Sequence, residues 1–175
     1  MPKKPNIPNL PDYEDKSVFY AVRKMDQFKD KNILIAGGGD SALDWCLNLE
    51  PIANSMQLVH RRREFRAAPD SVSKMHALVD DNKMQFHVGD IKQLHGDNGQ
   101  LKSVTVQPKG EDAFQVECDT LLAFYGLTMK LGPIADFGLN LHENLIPVDT
   151  EKFETTTEGI FSCLLYTSPS PRDRG

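Results

Sequence analysis

The apolar positions of this chain fall into short blocks whose period changes about halfway along. Asn32-Ile-Leu-Ile-Ala36 is a continuous apolar run of strand length, the pattern of a strand covered on both faces. In residues 40–50, Ala42, Trp45, Cys46 and Leu49 form one stripe at helical spacing, flanked by Leu43 and Leu47, and Pro51 ends it. Residues 55–60 predict the next strand. Residues 69–80 predict a second helix with Pro69 in its first turn and Met75, Leu78 and Val79 facing inward. A further helix is predicted over residues 17–28, with Val18, Ala21, Val22 and Met25 on one face. Beyond residue 82 the period shortens. Residues 83–88, 90–95, 101–107, 114–118 and 120–124 read as strands, with turns at Gly96-Asp-Asn-Gly99 and Pro108-Lys-Gly-Glu-Asp112. The order is strand, helix, strand, helix, strand, then an antiparallel meander.

The ends are different. Pro2, Pro5, Pro8 and Pro11 mark an extended connector with little helix or sheet, expected to stay unburied and mobile. From Gly126 onward, Gly132-Pro133, Gly138, Pro147 and Gly159 make the chain loop-rich, without enough apolar material for a core of its own. With 175 residues, 39% hydrophobic and 26% charged, the chain is globular. Its net charge of −5 argues against generic nucleic-acid or anionic-membrane binding, and its apolar runs are too short to span a bilayer. The start lacks the apolar core of a secretion signal. Cys46, Cys118 and Cys163 are unclustered, which gives neither a disulfide framework nor metal spacing and points to a reducing cytoplasm. His87 and His95 lie on separate strands without supporting ligands.

Chemistry concentrates at two places. Gly37-Gly38-Gly39-Asp40-Ser41-Ala42 fits G-x-G-x-x-A, and it sits between a buried strand and an amphipathic helix, the context that the pattern requires. Gly37 permits the tight turn, Gly39 lets backbone approach a pyrophosphate, and Ala42 lets helix and strand pack closely. The amides around Gly39, Asp40 and Ser41 then face the phosphates, aided by the helix dipole. Asp40 has to turn aside, as a cap, because a carboxylate repels a pyrophosphate. The fold class that follows is α/β: a Rossmann-like βαβ dinucleotide-binding domain with an antiparallel three-stranded β-meander.

The second place is the end of the second strand, about twenty residues beyond the glycines, where NAD sites carry an acid for the ribose 2′-hydroxyl. Here the strand ends at His60 and continues Arg61-Arg62-Arg63-Glu64-Phe65-Arg66: four arginines against one glutamate and no acid at the strand end. Forked, permanently charged guanidinium groups suit a phosphate dianion, which points to NADP(H). Arg61 and Arg62 are the expected contacts, with Arg66 one turn on, His60 beside the adenosine, and Arg63 toward solvent.

The glycine motif through Trp45, with His60 to Arg66, resembles the NADPH domain of the thioredoxin-reductase-like flavoproteins. That resemblance implies a βαβ unit with a three-stranded meander inserted into an FAD domain. The redox Cys-x-x-Cys of thioredoxin reductases is missing: the corresponding stretch is Tyr20-Ala-Val-Arg23, so dithiol chemistry is excluded for this chain. Ser17-Val-Phe-Tyr-Ala-Val-Arg23, Phe65-Arg-Ala-Ala-Pro69, Phe124-Tyr-Gly-Leu-Thr-Met-Lys-Leu-Gly132 and Ile146-Pro-Val-Asp-Thr150 are similar to the bacterial ferredoxin–NADP reductases of that family. This implies a homodimeric FAD enzyme passing electrons between NADPH and ferredoxin or flavodoxin. The family's FAD half, with a glycine motif of its own, is not among these 175 residues. Residues 162–175 depart from the family and resemble translated adapter sequence. The expected division is a connector over 1–12, an NADPH-binding domain over 13–125, a partial FAD-domain segment over 126–161 and a non-native tail over 162–175, inactive as a reductase by itself. Two other readings remain at this point: a related two-nucleotide reductase with another acceptor, and a non-catalytic NADP-sensing module. Nucleic-acid binding through residues 60–66 is disfavoured by the acidic remainder.

Overall fold

A computed structural model describes residues 1–128, 132–142 and 145–163. Most of the stretch read as a tail, 164–175, therefore lies outside the described residues, as do 129–131 within the Phe124–Gly132 resemblance. The chain divides into a larger unit, Pro2–Leu127, and a smaller one made of Met1 with Thr128–Gly175.

The larger unit is built on five parallel strands: β1 (Val18–Phe19), β2 (Asn32–Ala36), β3 (Ser55–His60), β4 (Gln85–Val88) and β8 (Thr120–Ala123). Their order is β1-β8-β2-β3-β4. Helices α1 (Asp40–Leu49) and α2 (Pro69–Asp80) cross over between β2 and β3 and between β3 and β4. A separate antiparallel sheet holds β5 (Asp90–Asp97), β6 (Gln100–Gln107) and β7 (Phe114–Glu117) in that order. The α/β class, the βαβ unit and the three-stranded meander all stand as read from the sequence.

Three layers explain the unbroken apolar runs. Along β2, Ile33 and Ile35 pack with Leu43, Cys46, Leu49 and Met75 of the helices. Leu34 and Ala36 face the other way, into a second core with Leu94, Val104, Val106 and Val116 of the meander. A strand covered on both sides has no polar positions to spare. The β5–β6 turn is tighter than the predicted Gly96–Gly99. The strands run on to Asp97 and Gln100, leaving Asn98 (φ 51°) and Gly99 (φ 79°) as a two-residue loop. Both take the left-handed conformation that Asn-Gly hairpins require.

Two expectations are corrected. Residues 17–28 do not form a helix. Val18 and Phe19 pair with Leu121 and Leu122 of β8, with the Leu121 N–H donating to the Ser17 carbonyl at 2.8 Å. They point to opposite faces, Val18 into the meander core and Phe19 against Phe28 at 5.6 Å between ring centroids. A short 3-10 turn, Met25–Phe28, completes the stretch. The strand partner lies about a hundred residues away, and no local pattern reports it.

The proline connector is not unburied either. Ile7, Leu10 and Tyr13 are buried in the meander core, and Leu10–Asp12 forms a 3-10 turn. The Asn9 side-chain amide donates to the Leu94 carbonyl at 2.7 Å, engaging β5 through a side chain. Prolines forbid regular helix here, but Ile7 and Leu10 between them and Tyr13 just beyond still reach a core.

In the smaller unit the described residues form one short 3-10 helix, Gly132–Asp136, and isolated bridges such as Val148 with Thr155. The Asp149 carboxylate accepts the Glu151 and Lys152 amides at 2.8 and 3.0 Å, closing the turn that leads to Phe153. Ile134, Phe137, Leu141, Leu145, Phe153 and Phe161 are exposed, and Leu139 is its one buried large apolar residue among the described residues. No described helix is long and apolar enough to cross a membrane.

The buried connector leads to a stability expectation. Leu10→Ala should lower the unfolding free energy by about 2–4 kcal/mol, the usual cost of truncating a buried leucine. Denaturant unfolding checks this, and a midpoint unchanged from the parent would mean the connector is not part of the folded core.

Candidate dinucleotide-binding site

The order of the parallel strands reverses at β2. From β2 the chain proceeds outward through β3 and β4, whereas β8 and β1 lie on its other side. Crevices at the carboxyl ends of strands open where the order reverses, and this is where open α/β sheets bind ligands. A cavity of about 500 Å³ lies there, lined by Gly37, Gly38, Gly39, His60, Arg61, Arg62 and Arg66.

The three glycines are needed for different reasons. A Cβ on Gly37 would stand 2.7 Å from the Phe124 carbonyl oxygen and 2.9 Å from the Ala42 Cβ. This is the close strand–helix packing that also requires Ala42 to be small. A Cβ on Gly38 would fall 2.4 Å from the His60 ring. Gly39 has neither constraint. Its φ of −106° suits any residue, and an added Cβ would meet nothing within 4 Å. The space over Gly39 is open cavity.

Among the described residues, the amides of Gly38, Gly39, Asp40 and Ser41 donate to no protein acceptor. They are the unpaired donors that every helix start carries, here grouped at the N-terminus of a ten-residue helix. The Asp40 side chain points away: its Oδ1 accepts the Ala68 N–H at 2.8 Å. It therefore turns aside as required, but it does not cap its own helix. Asp40, Ser41 and Ala42 do not line the cavity.

The arginine loop is docked beside the glycines. The Arg66 N–H donates to the Gly38 carbonyl at 2.8 Å. His60 ends β3 and lies under Gly38, stacked on Phe65 at 5.4 Å between ring centroids. Its Nε2 is buried without a hydrogen-bond partner. Arg61, Arg62 and Arg66 are exposed, and no ion pair among the described residues involves an arginine. Arg63 does not line the cavity. The guanidinium groups are thus free for an external anion. Burial lowers the His60 pKa, and the charges of Arg62, Arg61 and Arg66 lower it further against a hydrogen bond to the Glu64 backbone, so the ring is held neutral.

Sequence reasoning missed Lys3, Gly89, Asp90, Tyr125 and Gly126 in the cavity wall. Gly89 and Tyr125 lie just past the carboxyl ends of β4 and β8, so the strand-end rule could have found them once strand order was known. Lys3 had no signal, because it is tied to the wall by a long-range hydrogen bond, its backbone N–H donating to the Gly126 carbonyl at 2.8 Å. The other candidates are inert. Burial raises the Cys46 thiol pKa and pushes that of Cys118 up to about 12, leaving neither nucleophilic at neutral pH. His87 pairs with Gln57 at 2.9 Å and His95 with Thr105 at 2.6 Å, and no cluster of metal-ligating side chains occurs among the described residues.

The parallel sheet, the glycine turn at its strand ends and the separate three-stranded sheet are those of a dinucleotide-binding fold. Comparison with known proteins places it more narrowly. Residues 2–163 match the family model described as pyridine nucleotide-disulphide oxidoreductase, and the chain belongs to that family. It is 68% identical over 162 residues to the "Ferredoxin--NADP reductase" of Parvibaculum lavamentivorans, covering 93% of this chain and 47% of that protein. With the protein of the same name from Mesorhizobium japonicum the identity is 58% over the same spans. The chain therefore spans about half the length of the curated relatives it matches. Among solved structures, Lactococcus lactis thioredoxin reductase superposes with a TM-score of 0.75 at 25% identity, over 91% of this chain and 52% of that one. The thioredoxin reductase of T. acidophilum shares the fold with a TM-score of 0.82 at 17% identity, over 97% and 56%.

The two lowered histidines carry a pH expectation. Burial lowers both His60 and His87 from the ordinary value of 6.5. Below that value the unfolded chain binds protons that the folded chain refuses, so stability falls as pH drops. Glu14 and Asp149 are also lowered, but from 4.5 and 3.8, so they act only in more acid solution. The thermal midpoint should therefore fall between about pH 7.5 and pH 5.5. A midpoint that holds level across that window would contradict the half-buried, neutral rings.

Proposed function

We propose that this chain is the NADPH-binding part of a flavoprotein reductase of the ferredoxin–NADP reductase type. The observation that carries the reading is Gly39. Neither backbone conformation nor packing within the chain demands glycine there, and a side chain would occupy the space over the free amides. The donors of Gly38, Gly39, Asp40 and Ser41 fit a pyrophosphate, whose charge the α1 dipole favours. Arg61, Arg62 and Arg66 fit a 2′-phosphate, and His60 supports the glycine loop beside the adenosine. The chain's own contribution is to bind and orient the nicotinamide nucleotide; hydride transfer asks for no acid, base or nucleophile.

FAD would supply the hydride acceptor and the means of passing electrons on singly to ferredoxin or flavodoxin. The described residues contain one glycine-rich turn between a parallel strand and a helix, so FAD is assigned to the part of the parent protein outside this chain. The exposed apolar side chains of residues 132–161 support this. They suit a segment of an FAD domain whose cover comes from elsewhere in the parent. In this reading residues 1–12 are the connector, 13–125 the NADPH domain, 126–161 the partial FAD segment and 162–175 a tail foreign to the family. The parent is a homodimer in the cytoplasm, binding neither nucleic acid nor membrane.

Parallel calorimetric titration with NADPH and NADH tests the reading. NADPH should bind at least tenfold more tightly, since one charged hydrogen bond is worth roughly 1.5–3 kcal/mol. Equal binding of the two would remove the 2′-phosphate assignment. Gly39→Val should abolish NADPH binding and leave the circular dichroism spectrum unchanged; retained binding would sink the pyrophosphate assignment. Arg62→Glu should weaken NADPH far more than NADH, by about tenfold to a hundredfold. By itself the chain should show no NADPH-dependent reduction of ferredoxin.

A further inference from the structure

Asp40 is the one charged residue of the glycine motif, and the nucleotide site does not use its carboxylate. It is the first residue of α1, where a carboxylate aimed at the cavity would oppose a pyrophosphate. Its Oδ1 instead accepts the backbone N–H of Ala68, at 2.8 Å. Ala68 stands immediately before α2, at a helix start that no side chain of its own caps. The carboxylate thus meets the positive end of α2 as well as that of α1. One turn along α1, the Asp44 carboxylate accepts the Ser71 hydroxyl at 3.2 Å, extending the same face.

These bonds bear on the arginine loop. Residues 61–68 leave the end of β3 and must reach the start of α2. Arg61 and Arg62 directly follow β3, whose register with β2 and β4 holds them. Arg66 is farther along and has no strand or helix of its own. Two bonds locate its backbone: its own N–H to the Gly38 carbonyl at 2.8 Å, and the Ala68 N–H to Asp40 two residues on. Both acceptors belong to the glycine motif, so the pyrophosphate loop and the arginine loop form one hydrogen-bonded piece.

Resting on the nucleotide assignment made above, we propose that Asp40 is a positioning residue. By tying the start of α2 to the glycine loop it sets Arg66 at the 2′-phosphate, and so contributes to the preference for NADPH over NADH. Its side chain acts through Arg66 and touches no nucleotide.

The test measures the ratio of NADH to NADPH dissociation constants for the 175-residue chain and its variants. Asp40→Ala removes both charge and acceptor, and the ratio should fall about tenfold, the worth of one charged hydrogen bond from Arg66. Asp40→Asn keeps an oxygen acceptor for the Ala68 N–H, and the ratio should return to within about twofold of the parent. Arg66→Ala should lower the ratio as Asp40→Ala does, and the double variant should be no worse than Arg66→Ala, because the two losses are one. A parent-like ratio in Asp40→Ala overturns the proposal. So does a matched change in Asp40→Ala and Asp40→Asn, which would assign the effect to charge beside the pyrophosphate, and so does full additivity with Arg66→Ala. A parent chain that does not discriminate the two nucleotides would instead overturn the nucleotide assignment itself, which separates the two failures.

Discussion

The turn from β2 into α1 runs closer to its neighbours than side chains allow, and much of the larger unit is arranged around that approach. Gly37 passes between the Phe124 carbonyl and Ala42, and Gly38 lies on the His60 ring. The first contact joins β2 to β8 and to α1; the second joins it to the end of β3. Strand ends from both sides of the sheet are therefore drawn to one point. There Gly38 and Gly39, whose amides have no protein acceptor, line an opening. The cavity is what remains above a backbone packed tightly from below.

Electrostatics acts on this frame at short range. The chain carries a net charge of −5, yet the arginines beside the cavity have no carboxylate partner among the described residues. The acid nearest in sequence to the phosphate loop, Asp40, is bound to a backbone amide at the start of α2. Its negative charge is thus kept from the opening by a hydrogen bond and not by composition. His60 contributes differently. It stays neutral under burial and neighbouring cations, and its ring fills the space that Gly38 leaves.

The connector and the smaller unit show how little apolar material decides whether a segment is held. Three residues, Ile7 and Leu10 of the connector and Tyr13 just after it, anchor that segment in the meander core despite four prolines. The smaller unit has more large apolar residues among those described but leaves most of them exposed. The difference lies in what each segment can pack against. The connector joins the core that already lies between the meander and the parallel sheet, whereas the described residues of 132–163 form only a short 3-10 helix and isolated bridges, too little for a second layer.

Much was legible in advance, because the signals were local. The unbroken apolar run of β2, the stripe of α1, the glycine spacing and the Asn-Gly turn each report their own residues' conformation. The arginines after β3 could be given a role because a βαβ unit places the end of its second strand beside the glycine turn. The tertiary structure alone decided the rest. It made Val18 and Phe19 a strand edge, since β8 supplies hydrogen bonds that spacing cannot show. It brought Lys3 and Tyr125 to the cavity wall, and it turned Asp40 toward Ala68. Each of these depends on a partner distant in the chain. Periodicity and motif record what a residue does within its own element, and the closing contact between elements is settled only when the layers pack.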